Sequence, residues 1–173
     1  MKIKEKIKII AEIGLNHLGD EKLANKLVND LLKTNIDGLS FQIKNKKFNK
    51  NIKKFYQKKN LSLIKDIREK SFFTEMLKKK EFNSLILENS FYKKIIKRVK
   101  KHNKQIGFAI SDISQINKFD KNEDDFFKIL SEDFGNSKLI DKAMKTSLEN
   151  IYLSTGNSTI NEIKFRVLKM KNE

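Results

Sequence analysis

The chain contains no cysteine, no proline and no tryptophan, and only six of its 173 residues are glycine. Without cysteine it can form neither a disulfide bond nor a cysteine-ligated metal site, so nothing favours an oxidising compartment. Without proline, turns cannot be located by their most reliable marker. The apolar stretch near the N-terminus is interrupted by Glu12 and is too short for a signal peptide or a membrane span. A cytoplasmic location is therefore the default expectation.

Positive charge is the main excess in the composition, and almost all of it is lysine. The formal net charge is +16, yet only three arginines occur, Arg68, Arg98 and Arg166. Proteins that recognise nucleic acids commonly combine arginine forks with stacking aromatic side chains, and no such interleaved pattern is present. An AT-rich genome accounts for the lysine excess more simply. A nucleic-acid-binding module is therefore the weakest hypothesis, whereas a field of this sign attracts small phosphorylated metabolites.

Short apolar runs alternate with helical patterns along the chain, which predicts a parallel sheet built from β–α units. The runs predict strands at 7–13, 38–43, 106–111, 126–130 and 151–154. A complete (β/α)8 barrel needs roughly 200 residues or more. We therefore expect an α/β fold that forms part of such a barrel, with about five parallel strands and helices on the outside. An unclosed sheet leaves a strand edge with unpaired backbone groups, which invites pairing with another chain.

Apolar residues at helical spacing follow most of the strands. The spacing predicts a helix over 21–34 capped by Asp20, and a second helix, capped by Asn89 or Ser90, before the third strand. Asn136 precedes another run of apolar residues at helical spacing. The sequence from Thr159 to residue 162 has the spacing of a capping box. The lysine-rich region 44–80 is predicted to be a long insertion with a helix near 66–80. Loops of that length beyond a strand end commonly line functional sites.

Two charged residues lie within the apolar strands. An unpaired carboxylate at Glu12 would cost several kcal/mol if buried, so Glu12 requires a lysine, a metal or a polar ligand. A structural ion pair with a lysine from a neighbouring strand and a functional role both fit this requirement. Lys128 in the fourth strand either extends to solvent along the surface or points inward, where it could bind an anion.

Small polar groups end the other strands. The second strand places Ser40, Gln42 and Lys44 on one face and apolar residues on the other. Ser154 ends the fifth strand, just before glycine and a helix N-terminus, an arrangement suited to binding phosphate. Because the carboxyl ends of parallel strands share one edge, we expect these groups to line one site.

Five segments, in this order, resemble the N-acetylneuraminate (sialic acid) synthase family, which includes the legionaminate and pseudaminate synthases. They are AEIGLNHLGD, GLSFQIK, GFAISDIS, FKILSED and YLSTGNSTINEI, and together they extend over essentially the whole chain. The resemblance implies a TIM barrel that condenses phosphoenolpyruvate with N-acetylmannosamine or a related sugar. The product is a nine-carbon 2-keto sugar acid, and phosphate is released. It also implies a homodimer at full length and a manganese or magnesium ion that activates the sugar aldehyde.

The resemblance also assigns roles to individual positions. It implies catalytic roles for Glu12 and Asp133. Phosphoenolpyruvate would be held by the side chains of Ser111, Lys128, Ser131 and Ser154. The remaining implied positions line the site, and they are Gln42, Lys44, Asn16 and His17.

The sequence also departs from the family pattern. A phosphate-binding lysine of the family is replaced by Ser40, and whether Lys44 substitutes for it stays open. The family's metal-ligating histidines lie beyond the fifth strand, as does an antifreeze-like domain, so residues 1–173 are expected to be the N-terminal portion. Such a chain is expected to supply no metal ligand and to be inactive alone. The alternative is a degenerate, non-catalytic remnant that binds a phosphorylated metabolite or a protein partner.

Overall fold

A computed structural model describes residues 7–44, 85–119, 126–146, 150–156 and 158–171. The predicted insertion 44–80 and its helix near 66–80 lie outside these residues, apart from Lys44. The elements run in the order β1 (Ile10–Gly14), α1 (Glu21–Leu32), β2 (Gly38–Ile43), α2 (Asn89–Lys101), β3 (Gln105–Ile110), α3 (Ile113–Phe119), β4 (Phe126–Ile129), α4 (Ser137–Met144), β5 (Asn150–Leu153) and α5 (Ile160–Lys171). A single 3-10 turn, Ser131–Asp133, follows β4.

The five strands form one parallel sheet in the order β1-β2-β3-β4-β5. Strands that neighbour one another in chain order, all parallel and separated by helices, are the arrangement found in a (β/α)8 barrel. The predicted fold class is confirmed. The first strand is shorter than predicted. The Ile9 amide donates to the Asp37 carboxylate, and the Ile9 carbonyl accepts from the Asp37 amide, so Ile9 is not part of the strand pairing. The other four strands match their predicted bounds to within one residue.

One face of the sheet packs against the helices and forms the core. Alternate residues of β2 and β3 on this face are completely buried, as are the residues that α1 and α2 turn toward them. Burying each such side chain contributes roughly 1.5–3 kcal/mol. The main core residues are Leu39, Phe41, Ile106, Phe108, Phe127, Ile129, Ala24, Val28, Tyr92, Ile95 and Val99.

Three predicted helix starts are confirmed by their capping bonds. The Asp20 carboxylate accepts two amide hydrogen bonds from the first turn of α1, at 2.7 and 3.2 Å. Asn136 caps α4 in the same way, at 3.2 Å. At α5 the Thr159 amide donates to the Glu162 carboxylate at 2.7 Å, and the Glu162 amide donates to the Thr159 hydroxyl at 3.3 Å. The Thr159 hydroxyl also donates to the Glu162 carboxylate, at 2.8 Å. The two bonds to the carboxylate lower the pKa of Glu162, because they stabilise its charged form.

The predicted cap of α2 was wrong. The helix begins at Asn89 itself, so Glu88 occupies the capping position, and it makes no side-chain capping bond there. Helix α2 is held instead by apolar burial against the sheet, which outweighs the loss of about 1 kcal/mol from a missing cap.

The opposite face of the sheet, here called the inner face, carries its side chains in layers set by strand register. Glu12, Ser40 and Gly107 pair across β1, β2 and β3, and Phe126 continues that layer on β4. The Phe126 ring lies over Gly107, where a Cβ would overlap it. The next layer contains Gln42, Ala109, Lys128 and Tyr152.

Candidate functional site

An ion pair crosses the inner face between two strands that are not neighbours. Lys128 Nζ on β4 lies 3.0 Å from Glu12 Oε2 on β1. In a flat sheet these strands would be about 14 Å apart, too far for side chains that stand perpendicular to the sheet. The contact therefore requires a curved sheet with its concave side inward. Lys128 points inward, and Glu12 has the lysine partner that its position required.

The backbone at the end of β1 shapes the surroundings of Glu12. The register with β2 shifts between Glu12 and Gly14, and Gly14 has φ +55°, a conformation that favours glycine. A Cβ at Gly14 would lie 3.4 Å from Glu12 Oε1 and 3.9 Å from the Gln42 amide nitrogen. The Glu12 carboxylate and the Gln42 amide therefore converge beside a glycine that leaves space between them.

A second cluster, here called the rim cluster, consists of Lys44, Ser111 and Asp133 at the carboxyl ends of β2, β3 and β4. Burial raises the pKa of Asp133, and the nearby Ser111 hydroxyl and Lys44 charge oppose that change. Burial also lowers the pKa of Lys44, opposed by the carboxylates of Glu132 and Asp133. Ser111 Oγ and Asp133 Oδ2 are buried without a well-formed hydrogen bond. The Ser111 hydroxyl and this oxygen of Asp133 are therefore able to bond to a ligand.

The hydroxyls at the ends of β4 and β5 lie on adjacent parts of the same edge. A Cβ at Gly156 would lie 3.8 Å from Ser131 Cβ and 3.9 Å from its Oγ. Ser154 follows β5 directly, and its amide donates to the carbonyl of Ile129 at 2.9 Å. Ser131 and the Ser154–Gly156 turn therefore approach one another beyond the strand ends.

Three polar residues of this region have defined local surroundings. Ser40 is 2% exposed and belongs to the layer of Glu12, where a serine fits beneath the ion pair. The Asp112 carboxylate accepts from the Ser114 amide at 2.8 Å, at the start of α3. The Glu132 carboxylate is exposed and acts on the charge of Lys44.

The two predicted site-lining residues of the turn after β1 differ in accessibility. Asn16 is exposed in the turn after β1, where its amide donates to the Ile13 carbonyl at 3.0 Å. His17 is completely buried, and its ring packs 6.0 Å from that of Phe41 on the helix-covered face. The prediction that His17 lines the site does not agree with this position, because its imidazole is inaccessible from the inner face.

Tyr152 is the residue of the inner face that the sequence prediction missed. It pairs with Lys128 in register, is 43% exposed, and contacts the Phe126 ring edge-on at 5.0 Å. Counting back two positions from Ser154 would have placed it on the same face.

The described residues contain neither a metal-binding cluster nor a membrane-spanning helix. No group of three or more histidine, aspartate and glutamate side chains in the described ranges is arranged to bind a metal ion. None of the helices in this part of the chain has the length and apolar character needed to cross a lipid bilayer. The inner face thus offers an ammonium group, hydroxyls and carboxyls, a set suited to an anionic substrate and to proton transfer.

A curved parallel sheet with its charged groups at the carboxyl edge is typical of enzymes of the (β/α)-barrel class. Within that class, the chain belongs to the NeuB family, whose model matches residues 27–173. The comparison with curated proteins found no match.

Solved structures from three organisms share the fold of this chain. The N-acetylneuraminic acid (sialic acid) synthetase of Leptospira borgpetersenii matches with a TM-score of 0.73 and 22% identity, over 96% of this chain and 50% of that one. A putative spore coat polysaccharide biosynthesis protein E from Chromobacterium violaceum gives 0.72 and 16%, over 96% and 46%. The Bacillus subtilis protein SpsE, also of spore coat polysaccharide biosynthesis, gives 0.66 and 16%, over 97% and 42%. The chain thus spans half or less of the length of these structures.

Proposed function

We propose that this chain carries the phosphoenolpyruvate-binding side of a sialic-acid-synthase-like TIM barrel. The reaction joins phosphoenolpyruvate to N-acetylmannosamine or a related sugar, giving a nine-carbon 2-keto sugar acid and phosphate. Family membership supports the reaction class. The observation that carries the proposal is the inward position of Lys128, 3.0 Å from Glu12 and in one layer with Gln42.

Each group on the inner face has a task in this proposal. The Lys128 ammonium binds an anionic group of phosphoenolpyruvate in place of Glu12, and Ser111, Ser131 and Ser154 donate hydroxyl hydrogen bonds to its oxygens. The enol carbon then forms a bond to the sugar aldehyde, water adds to the resulting cation, and phosphate leaves by C–O cleavage. Asp133 exchanges a proton, a role that its raised pKa supports. Glu12 lies beside the reacting centre.

The divalent metal of the family has no matching ligand set here. The described residues contain no suitable cluster of acidic and histidine side chains, so no step is assigned through a metal ion. The proposal also includes a barrel in which residues 1–173 form the N-terminal portion, with an insertion at 44–80. A cytoplasmic location and a homodimer of the whole enzyme belong to the same proposal.

Binding of phosphoenolpyruvate to the purified chain, measured by isothermal titration calorimetry, tests the proposal. Lys128→Gln is expected to weaken binding by about tenfold or more, because a charge-assisted hydrogen bond is lost. The matched control is Lys97→Gln, an exposed lysine on α2, which should leave the affinity unchanged. Equal affinity in Lys128→Gln and the unaltered chain would overturn the proposal.

A non-catalytic role as a binder of a phosphorylated metabolite is the second candidate. It is favoured by Ser40, buried at the position of the family lysine. A phosphate-release assay with phosphoenolpyruvate, N-acetylmannosamine and manganese tests the second candidate. Clear turnover by residues 1–173 would exclude a non-catalytic binder.

A further inference from the structure

Helix α5 contains a buried cation, Arg166, that pairs with no carboxylate of the described residues. Arg166 is 8% exposed, and its guanidinium donates to Ser137 Oγ at 3.0 Å and to the Phe134 carbonyl at 3.4 Å. In the described ranges, Arg166 takes part in no ion pair. A guanidinium has five N–H donors, so these two bonds leave three unused. A buried charge with only neutral partners is unfavourable unless an anion completes its surroundings.

A cavity of about 420 Å³ lies beside this guanidinium, between α5 and the turn that follows β4. Arg166, Ser158 and Gly135 line it together with Ser131, Glu132 and the rings of Phe134 and Phe165. Glu162 also borders the cavity, but its carboxylate is bound to the amide and hydroxyl of Thr159 at 2.7 and 2.8 Å. The Glu162 carboxylate is therefore committed to capping, and the exposed Glu132 carboxylate acts on the charge of Lys44.

We propose that this cavity binds a small organic anion. Its carboxylate or phosphate group accepts the unused N–H donors of Arg166, which suit a bidentate oxyanion, and its apolar body packs against Phe134 and Phe165. The cavity adjoins α5 and includes Ser131, whereas Lys128 lies on the inner face. Because Ser131 also belongs to the proposed phosphoenolpyruvate site, the Arg166 and Lys128 variants distinguish the two binding positions.

NMR spectroscopy of the arginine side chains in the whole chain provides the test, with benzoate and inorganic phosphate as separate probes. Only three arginines contribute signals, and the Arg166 Nε–H signal should shift on titration. Arg166→Lys should weaken binding by about tenfold or more, because lysine keeps the charge but lacks the planar guanidinium that donates two parallel hydrogen bonds. Arg98→Lys is the matched control, since Arg98 bonds to Asn25 and Asn29 on α1. It should leave the affinity unchanged.

A second variant tests the cavity without altering Arg166. Gly135 lines the cavity, and a Cβ there would meet nothing within 4 Å. Gly135→Glu should place a carboxylate near the guanidinium and abolish probe binding without lowering the thermal unfolding midpoint. Probe binding that survives both Arg166→Lys and Gly135→Glu would overturn the proposal. Binding lost in Lys128→Gln but kept in Arg166→Lys would overturn it too, by placing the probe on the inner face.

Discussion

At the scale of single residues, the ion pair between Glu12 and Lys128 determines whether the inner face accepts an anion. Both side chains are about one-third exposed, so water screens their attraction and the pair contributes at most about 1 kcal/mol. An incoming phosphate or carboxylate competes with Glu12 for the same ammonium group. The pair is therefore weak enough to exchange partners.

Glu12→Gln should tighten phosphoenolpyruvate binding by up to about fivefold, because it removes the competing carboxylate while Lys128 keeps its charge. Isothermal titration calorimetry measures the change. Glu21→Gln, at the exposed start of α1, is the control and should have no effect. Weaker binding in Glu12→Gln would show that Glu12 itself contacts the ligand.

His17 makes the stability of the fold depend on pH. Its Nδ1 accepts from the Gly19 amide at 2.9 Å, which places the proton of the neutral ring on Nε2, a buried atom without a partner. Burial lowers the pKa of His17 from 6.5 to about 4. Below pH 6.5 the unfolded chain therefore binds a proton that the folded chain does not bind until about pH 4.

As the pH is lowered from 6.5 to about 4, the free energy of unfolding should therefore fall by about 1.4 kcal/mol per pH unit because of His17. Above pH 6.5, His17 should cause no such dependence. Urea unfolding at several pH values measures the slope. His17→Gln should remove this part of the slope, and His102→Gln, at the exposed end of α2, should not. An unchanged slope in His17→Gln would contradict the burial of a neutral imidazole.

At the scale of elements, strand order and helix starts followed from local patterns, whereas contacts across the sheet did not. Alternation of apolar residues predicted β2 with correct bounds, and Asp20 and Asn136 predicted their helix starts. These features depend on residues close together in sequence. The Glu12–Lys128 pair joins positions 116 residues apart and depends on sheet curvature, which local patterns do not encode.

The candidate site was predictable to a similar extent. Ser111 and Ser131 came from the resemblance to the synthase family, and Ser154 from its position between a strand end and a helix N-terminus. Their part in binding stays a prediction. His17 was misplaced because residues in a turn follow no period, so nothing in the sequence indicates which way the ring points. The charge of Arg166 likewise suggested exposure, and only the packed α5 shows that it is buried.

The close contact of β3 with β4 predicts a large effect of Gly107→Ala. The added methyl group would overlap the Phe126 ring, so the variant should lose about 1–3 kcal/mol of unfolding free energy. Gly135→Ala is the matched control, because its methyl group would enter open space, and it should be neutral or slightly stabilising. Urea unfolding compares the two variants. Equal stability would contradict the layered packing of the inner face.

At the scale of the whole molecule, the net charge of +16 should strengthen the binding of anions to the inner face. Raising the salt concentration from about 0.1 M to about 1 M shortens the Debye length from about 10 Å to about 3 Å. Phosphoenolpyruvate affinity should fall several-fold over this range, and the fall should be smaller in Lys128→Gln. Calorimetry at a series of potassium chloride concentrations tests this, and a salt-independent affinity would count against an electrostatic site.

The central claim is that an anionic substrate binds to Lys128 on the concave side of the sheet. The most direct measurement is an NMR titration of the lysine-labelled chain with phosphoenolpyruvate, in which Lys128→Gln identifies the Lys128 ammonium signal. That signal should shift on titration, and the dissociation constant from its shift should equal the one from calorimetry. The signal of the exposed Lys97 should not change. A saturating response at other lysines with no change at Lys128 would contradict the account.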